Sequence, residues 1–195
     1  MPASTEHRAL TAIQIENWWQ QVGDERSVEL QAMWQRARAG IPPEQAVTRA
    51  QEAVCAARDA DGKLVGISTA QPRLVPFLGE NMFYFRAFVV PELRRGTLGP
   101  RLAFASRQLL NAEYQQNTDP SYPIGLFLEI ENAGLSRDNE RAVWDRPALK
   151  SRPEHTSWPH GALVYAGRSP RGLDRRIWYF DDARLQRPGL PRQNA

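Results

Sequence analysis

The chain of 195 residues is poor in cysteine, in lysine and in long apolar runs. Cys55 is its one cysteine, which excludes an internal disulfide. No apolar stretch reaches the roughly 20 residues that cross a bilayer, and residues 1–8 lack the apolar segment of a secretory signal. These absences predict a cytoplasmic protein with no membrane partner.

Lysine is scarce, with only Lys63 and Lys150 among 25 basic residues. The net charge is +3 and the pI is about 9.3, so arginine carries the positive charge. Arginine suits bidentate contacts with phosphate or carboxylate, although a GC-rich coding sequence produces the same bias. No single predicted element interleaves aromatic and basic residues as nucleic-acid stacking platforms do, so a nucleic-acid partner is not expected.

Metal ligands at a suitable spacing are also missing. His155 and His160 flank Trp158 in a proline-rich segment, and no ligand spacing links them to Cys55. Cys55 lies in an apolar run, which favours a packed side chain over a nucleophile. We therefore expect no metal site, and the two histidines are candidates for the border of an acceptor pocket.

Apolar periodicity predicts the elements of the first third of the chain. Leu30, Met33 and Trp34 recur at helical spacing and mark one amphipathic helix. The expected elements are a strand at 10–15, a helical turn at 16–22, and helices at 26–39 and 43–53. The apolar face of each helix is expected to pack in the core.

Three antiparallel strands are expected next, at residues 54–58, 64–70 and 82–90. Asp61-Gly62 is a strong hairpin signal because both residues tolerate positive φ. Residues 82–90 are rich in aromatic and β-branched side chains, the composition most typical of strands. Pro91 ends this strand because it has no N–H to donate.

The second half predicts a change to mixed topology. Leu98, Leu102 and Leu109 lie on one face of a helix at 100–111, and an apolar run follows at 124–130. A strand after that helix can lie parallel to the strand before it, through a right-handed crossover. The remaining expected elements are a helix at 139–144 and a hairpin of 162–166 with 176–180. The fold class is therefore α+β with a mixed sheet, in one domain at 1–185 and a disordered tail at 186–195.

A short basic glycine loop, Arg94-Arg95-Gly96-Thr97-Leu98-Gly99, lies between the strand at 82–90 and the helix that opens at Pro100. Free backbone N–H groups and the positive end of a helix dipole meet at such a junction, and they suit a phosphate group. The arginines add charge and paired donors. An ordinary strand-to-helix turn with solvated arginines explains the same pattern.

This loop resembles the phosphate-binding motif of the GNAT family of acyl-CoA N-acyltransferases, Gln/Arg-x-x-Gly-x-Gly/Ala. Arg94 takes the first position of the motif and Gly99 the last, and Leu98 and Leu102 match its apolar positions. The family glycine is replaced by Thr97. The order of elements is also similar to the family over residues 54–144, with Val90-Pro91 as the strand exit.

The resemblance implies a mixed, mostly antiparallel sheet flanked by helices, whose fourth and fifth strands splay apart. Acetyl-CoA or another acyl-CoA would be the co-substrate, with its pyrophosphate on the loop and its pantetheine arm beside the fourth strand. The cofactor-binding residues that it implies are Phe88, Val89, Val90, Arg94, Arg95, Gly96, Thr97, Leu98, Gly99 and Asn139. Thr97 must take an ordinary φ or accept strain, and its hydroxyl can donate to a phosphate oxygen.

The candidates for catalysis are Glu129, Glu131 and Tyr165, with Tyr84 as the alternative to Tyr165. Family members often carry a glutamate base on the fourth or fifth strand, and here Glu129 and Glu131 share one face of the fifth. A carboxylate in a strand splay is expected to have a raised pKa, although a structural pair with arginine is the alternative. The family acid is a tyrosine near the position of Trp144, which cannot donate that proton, so Tyr165 or Tyr84 would replace it.

The implied function is transfer of an acyl group, acetyl in the simplest case, from acyl-CoA to a primary amine by direct transfer in a ternary complex. The acceptor would be a small molecule or a protein, and a second copy of the chain is a further expected partner. The alternative is a degenerate domain that binds acyl-CoA or a protein partner without catalysis, which the departures at Thr97 and Trp144 motivate.

Overall fold

The computed structural model describes residues 13–94, 96–132, 136, 141–144 and 162–186. Its helices are α1 (Asp24–Arg36), α2 (Pro43–Gln51) and α3 (Leu98–Gln116), and one 3₁₀ turn covers Pro91–Leu93. Its strands are β1 (Gln14–Asn17), β2 (Ala53–Arg58), β3 (Leu64–Val75), β4 (Glu80–Val89), β5 (Gly125–Ile130), β6 (Val143–Trp144), β7 (Leu163–Arg168) and β8 (Asp174–Tyr179).

The eight strands form one sheet in the order β1-β2-β3-β4-β5-β8-β7-β6. The pairs at both ends of this order are antiparallel, as are β5 and β8. The start of β4 meets the start of β5, because the Ile124 N–H donates to the Asn81 carbonyl at 3.0 Å. The predicted α+β class with a mixed, mostly antiparallel sheet is confirmed, and the splay of the central strands stays a prediction.

Contacts group the chain into two compact units. One holds Met1–Gln71 with Phe85–Ser106, and the other holds Pro72–Tyr84 with Arg107–Ala195. The single domain at 1–185 stays a prediction. Of the tail expected at 186–195, only Gln186 is described, and its N–H donates to the Glu80 carboxylate at 2.9 Å.

The first unit buries the apolar stripe that its helical spacing predicts. Leu30, Met33 and Trp34 of α1 are all buried, and Trp18, which follows β1, is fully enclosed. Pro43 opens α2, where its missing N–H costs no helical hydrogen bond. The helical turn expected at 16–22 is wrong in part, since β1 continues to Asn17 and the Trp18 N–H donates to the Val54 carbonyl on β2.

The core of the second unit combines β3, β4, β5 and β8. Its buried centre consists of Val75, Met82, Ile124, Phe127 and Ile177. Arg107 of α3 is fully buried and bonds the Tyr179 carbonyl and Asp181 at 2.9 and 2.8 Å. A buried guanidinium held by a carboxylate ties the helix to the end of β8.

The other elements lie near their predicted positions. The hairpin turn at Asp61-Gly62 is confirmed, with Gly62 at φ 77. The expected final hairpin is confirmed as β7 and β8, and the helix at 100–111 is confirmed but longer at both ends, as α3. The helix expected at 139–144 is wrong for the residues that the structure describes, because Val143–Trp144 is a strand paired with β7.

Arg58 holds two carboxylates beside the ring of Trp18, and its loss is expected to destabilise the first unit. Its guanidinium donates to Glu16 at 3.0 Å and to Glu29 at 2.7 Å, with its Cζ 5.7 Å from the ring. We expect Arg58→Met to lower the free energy of unfolding by about 1–2 kcal/mol at pH 7, because two half-exposed carboxylates lose their partner. Urea denaturation measures this, with Arg58→Lys expected to fall between the two proteins.

The same experiment has a pH readout. Burial raises the pKa of Glu16, but hydrogen bonds from Trp18 and Arg58 and the Arg58 charge outweigh burial and hold that pKa below its ordinary value. A lowered carboxylate pKa contributes stability above the unfolded-state pKa, and this stability is lost as the pH falls through the folded-state pKa. The difference in the free energy of unfolding between Arg58→Met and the wild type should therefore become smaller in acid. A difference that is constant from pH 7 to pH 3 would contradict the assignment.

Candidate functional site

The junction of β4 and α3 presents backbone donors at a helix N-terminus. The first hydrogen bond of α3 runs from the Arg101 N–H to the Thr97 carbonyl, at 3.0 Å. The N–H groups of Leu98 and Gly99 precede that bond, so the helix itself leaves them without a partner. Pro100 has no N–H to lose at the next position. The predicted order of strand, basic glycine loop and helix is therefore confirmed.

Gly99 leaves the backbone of this helix start uncovered. A Cβ built on Gly99 would meet no atom within 4 Å, so packing within the described chain does not require glycine there. Among the described non-glycine residues, positive φ occurs at Gln20, Arg38 and Asp182. Thr97 thus takes an ordinary φ, which settles the alternative of backbone strain at this position. The helix start is unstrained and open on the side of Gly99.

Arg94 turns back onto the strand that precedes it. Its Nε donates to the Val89 carbonyl at 3.0 Å, and its Cζ lies 5.4 Å from the centre of the Phe88 ring. Arg95 lies outside the described residues. The expected contact of both arginines with a phosphate therefore stays a prediction, and Arg94 would reach one with its terminal Nη atoms.

The end of β4 directs one backbone donor away from β3. The Val90 N–H donates to the Val65 carbonyl on β3, and the Val90 carbonyl accepts from Leu93, both at 3.0 Å. Neighbouring residues of an antiparallel strand direct these groups to opposite sides, so the N–H and carbonyl of Val89 point away from β3. The Val89 carbonyl accepts from Arg94. The expected contact of this strand end with a pantetheine arm stays a prediction.

The predicted base Glu129 is enclosed by polar partners on β4, β8 and the β7–β8 turn. Its Oε2 accepts from the Tyr84 hydroxyl at 2.9 Å and from Arg171 at 2.8 Å. Its Oε1 lies 3.8 Å from Arg175 Nε, the residue opposite it on β8. The side chain is 13% exposed, so Glu129 is a well-held carboxylate with limited access to solvent.

The pKa of Glu129 is lowered, and the expectation of a raised pKa is wrong. Burial raises this pKa, but the hydrogen bonds from Arg171 and Tyr84 and the charges of Arg171 and Arg175 outweigh burial. The alternative, a pair with arginine, is the one the structure shows. Glu129 is therefore ionised throughout the neutral range.

Glu131 and Tyr165 occupy different surroundings. Glu131 is 76% exposed and lies 3.7 Å from Arg171, so it shares a face and a partner with Glu129 as predicted. Tyr165 stands opposite Arg176 on β8, whereas Glu129 stands opposite Arg175. Adjacent strand residues point to opposite faces, so the sheet separates Tyr165 from Glu129. Tyr84 is the tyrosine that the structure places beside Glu129.

The fold can be compared directly with solved structures. yncA from Salmonella typhimurium, a proposed acetyltransferase solved with its cofactor acetyl-CoA, superposes with a TM-score of 0.50 at 11% identity, over 91% of this chain and 99% of that one. The chain has the GNAT fold. No family model matches the sequence, and no curated protein does either.

Two further structures carry names of the same family. A GCN5-related N-acetyltransferase from Kribbella flavida has a TM-score of 0.47 at 14% identity, over 88% of this chain and all of that one, 100%. Tetrahymena GCN5 has a TM-score of 0.44 at 12% identity, over 86% of this chain and 95% of that one. At these identities the likeness concerns the GNAT fold alone.

The resemblance assigns the position of the family acid to Trp144 and that of the family asparagine to Asn139. Trp144 lies in β6, where the Arg176 guanidinium stacks 4.0 Å from its ring centre, so it is packed in place. The centre of the Tyr165 ring lies 5.3 Å from the Cζ of the same guanidinium. Asn139, expected to contact the pantetheine arm, lies outside the described residues.

Several absences complete the description of this GNAT fold. The described residues contain no group of three or more His, Cys, Asp or Glu side chains that could hold a metal ion. Cys55 is buried, and burial raises the pKa of its thiol, as a packed side chain requires. Within the described part of the chain, no helix is both long and apolar enough to cross a membrane.

Sequence reasoning missed the arginines that surround Glu129. Arg171 belongs to the turn between β7 and β8, and only the pairing of β8 with β5 carries it to Glu129. A weak signal existed, because Arg175 and Arg176 follow Asp174 in a strand whose second half is apolar and aromatic. That signal gives no partner and no face until the strand register is known.

Proposed function

We propose that the protein transfers an acyl group, acetyl in the simplest case, from acyl-CoA to a primary amine. The observation that carries the proposal is the open N-terminus of α3, directly after β4, in a GNAT fold. Backbone N–H groups at a helix start with no side chain over Gly99 suit a pyrophosphate. The acetyl-CoA held by yncA supports this choice of co-substrate.

The loop would bind the co-substrate through backbone and arginine donors. The N–H groups of Leu98 and Gly99, with the hydroxyl of Thr97, would face the pyrophosphate, and the arginines at 94 and 95 would add charge. The Val89 N–H would bind the pantetheine arm as a neighbouring strand does. The acyl-CoA thioester supplies the activated acyl group.

Glu129 would manage the proton of the acceptor amine. The amine lone pair attacks the thioester carbonyl, a C–N bond forms and the C–S bond breaks. The nitrogen gains positive charge as it attacks, and an ionised carboxylate nearby stabilises that charge and takes the proton. The departing thiolate takes a proton from solvent, or from the Tyr84 hydroxyl, which then regains a proton from the protonated Glu129 across their hydrogen bond.

A carboxylate at the helix start tests the proposal. Gly99→Asp adds a side chain whose Cβ meets no atom of the described chain, and an acidic residue in the first turn favours a helix. We expect little change in thermal stability together with acetyl-CoA binding weakened at least about tenfold, since the added carboxylate would stand beside the pyrophosphate and repel it. Isothermal titration calorimetry measures the affinity.

Gly23→Asp is the matched control, because Gly23 lies at the N-terminus of α1 and its Cβ would also meet no atom within 4 Å. It should leave the acetyl-CoA affinity unchanged. Wild-type protein that does not bind acetyl-CoA, or equal affinity in wild type and Gly99→Asp, would refute the loop as the co-substrate site.

The second candidate function is binding of acyl-CoA or a protein partner without turnover. Two observations favour it: the pKa of Glu129 is lowered, and the sheet separates Tyr165 from Glu129. Acetyl-CoA binding without thiol release across a broad panel of primary amines would select this function over the transferase.

A further inference from the structure

A row of aromatic rings lies on the sheet face that carries Glu129, and we call it the ring row: Tyr84, Phe127 and Phe77. The centre of the Phe127 ring is 5.8 Å from that of Tyr84 and 6.0 Å from that of Phe77. A guanidinium lies over each end of the row. Arg73 Cζ is 4.7 Å from the Tyr84 ring centre, and Arg175 Cζ is 5.2 Å from that of Phe77.

The two guanidinium groups differ in their access to solvent. Stacking on a ring engages the face of a guanidinium and leaves its N–H edge to bind an acceptor. Arg73 is exposed, and among the described residues its contact is the Tyr84 ring. Arg175 Nε is buried 3.8 Å from Glu129 Oε1, so this N–H is shielded from a dissolved ligand. Arg73 therefore offers its N–H edge to a ligand, and Arg175 adds positive charge.

Arg171, the third arginine of this face, is paired with carboxylates. Arg171 donates to Glu129 at 2.8 Å and lies 3.7 Å from Glu131. Three arginines thus meet two carboxylates, one of which is largely exposed, and the face keeps an excess of positive charge. The carboxylate of Glu129 nevertheless lies within it, so the face offers a cation partner and an anion partner side by side.

We propose that this face binds an acceptor that carries an anionic group beside its primary amine. Arg73 would take the anion, a carboxylate or a phosphate-type group, and Glu129 would take the ammonium, while the charge of Arg175 would add to the attraction of the anion. Because Tyr84 carries Arg73 over its ring and donates to Glu129 from its hydroxyl, only a short carbon chain would separate the two groups. The amine part rests on the proposed acyl transfer, whereas the anion part depends only on this face.

A single strand of nucleic acid fits the ring row less well. The three arginines and three rings come from β3, β4, β5, β8 and two turns, an interleaving that no single element shows. Successive bases need open ring faces, however, and Phe127 is 6% exposed while Arg175 covers one face of Phe77. Small anions need only the N–H edges, which are the part left available.

Three matched probes test the inference: butylamine, 4-aminobutyrate and 3-aminopropylphosphonate. Calorimetry without acetyl-CoA measures binding, and thiol release with acetyl-CoA measures transfer. We expect the wild type to bind both anionic probes at least about tenfold more tightly than butylamine. Arg73→Gln should remove most of this preference, and Arg73→Gln with Arg175→Gln should remove all of it.

Arg168→Gln is the control, since Arg168 is 71% exposed on β7 and pairs with Asp174 instead. It should keep the full preference. Equal binding of all three probes, or a preference that survives the double substitution, would overturn the inference. Stronger binding of the phosphonate than the carboxylate, or the reverse, identifies the anion.

The two proposals fail separately. Anion preference in calorimetry that the substitutions remove, with no thiol release for any amine, supports this face and refutes acyl transfer. Thiol release that is equal for butylamine and 4-aminobutyrate supports acyl transfer and refutes an anionic acceptor. Equal melting temperatures of the variants confirm that folding is unaffected.

Discussion

Gly125→Ala is expected to unfold the second unit or leave it barely stable. A Cβ on Gly125 would lie 2.6 Å from the Trp178 carbonyl oxygen and 2.8 Å from the Tyr179 Cα. Both are backbone atoms of the paired strand β8, in which Gly125 stands opposite Tyr179. Neither can move without breaking the ladder, so we expect a loss of about 3 kcal/mol or more in the free energy of unfolding.

Urea denaturation and the yield of soluble protein measure this loss. Gly99→Ala is the matched control for the added methyl group, because its Cβ has open space around it. The control should retain its stability to within about 1 kcal/mol. A Gly125→Ala protein as stable as the wild type would mean that β5 and β8 are farther apart at Gly125 than the 2.6 Å contact with the Trp178 carbonyl oxygen implies.

Glu129→Gln is expected to reduce the turnover of acetyl transfer about 100-fold, the usual scale for a lost proton acceptor. Glutamine keeps the shape and can accept a hydrogen bond, but it cannot take the amine proton or balance Arg171. The affinity for acetyl-CoA should change little, because the loop at Thr97–Gly99 is untouched. Thiol release at saturating acetyl-CoA measures turnover, and calorimetry measures affinity.

Glu131→Gln is the control for Glu129→Gln. Glu131 faces the same side and neighbours the same Arg171, but it is 76% exposed and should matter less than about threefold. Because the pKa of Glu129 is lowered, its carboxylate is ionised across pH 6–9. Any change of turnover with pH in that range would therefore come from another group and should persist in both variants. Equal turnover in Glu129→Gln and the wild type would assign the proton transfer to another group.

Much of the fold follows from local sequence signals. The aromatic and β-branched run at 82–90 lies in β4, and the apolar spacing after Pro100 lies in α3. Both patterns are long enough to distinguish a strand or a helix from a turn. The failure at 139–144 has a non-local cause. Trp144 lies under the guanidinium of Arg176, 32 positions later, and such packing overrides a short helical pattern.

The candidate site also has one part that local sequence signals predict and one part that depends on distant residues. The loop before Pro100 is a local feature, and its place at a helix start followed from glycine, proline and charge alone. The surroundings of Glu129 depend on β8, whose register brings Arg175 opposite it and Arg171 within 2.8 Å. The direction of a pKa shift depends on such partners. Strand periodicity placed Glu129 and Glu131 on one face, but the raised pKa expected from a strand splay was wrong, because Arg171 and Tyr84 are remote in sequence.

The ordinary φ of Thr97 has a consequence for how such loops are found in other sequences. A search pattern that requires glycine at this position is too strict, because the backbone here has a φ that any residue can adopt. Threonine, serine or alanine should be equally acceptable there on conformational grounds. Patterns anchored instead on the uncovered Gly99 and the buried pair Leu98 and Leu102 would retrieve relatives that a glycine-based signature discards.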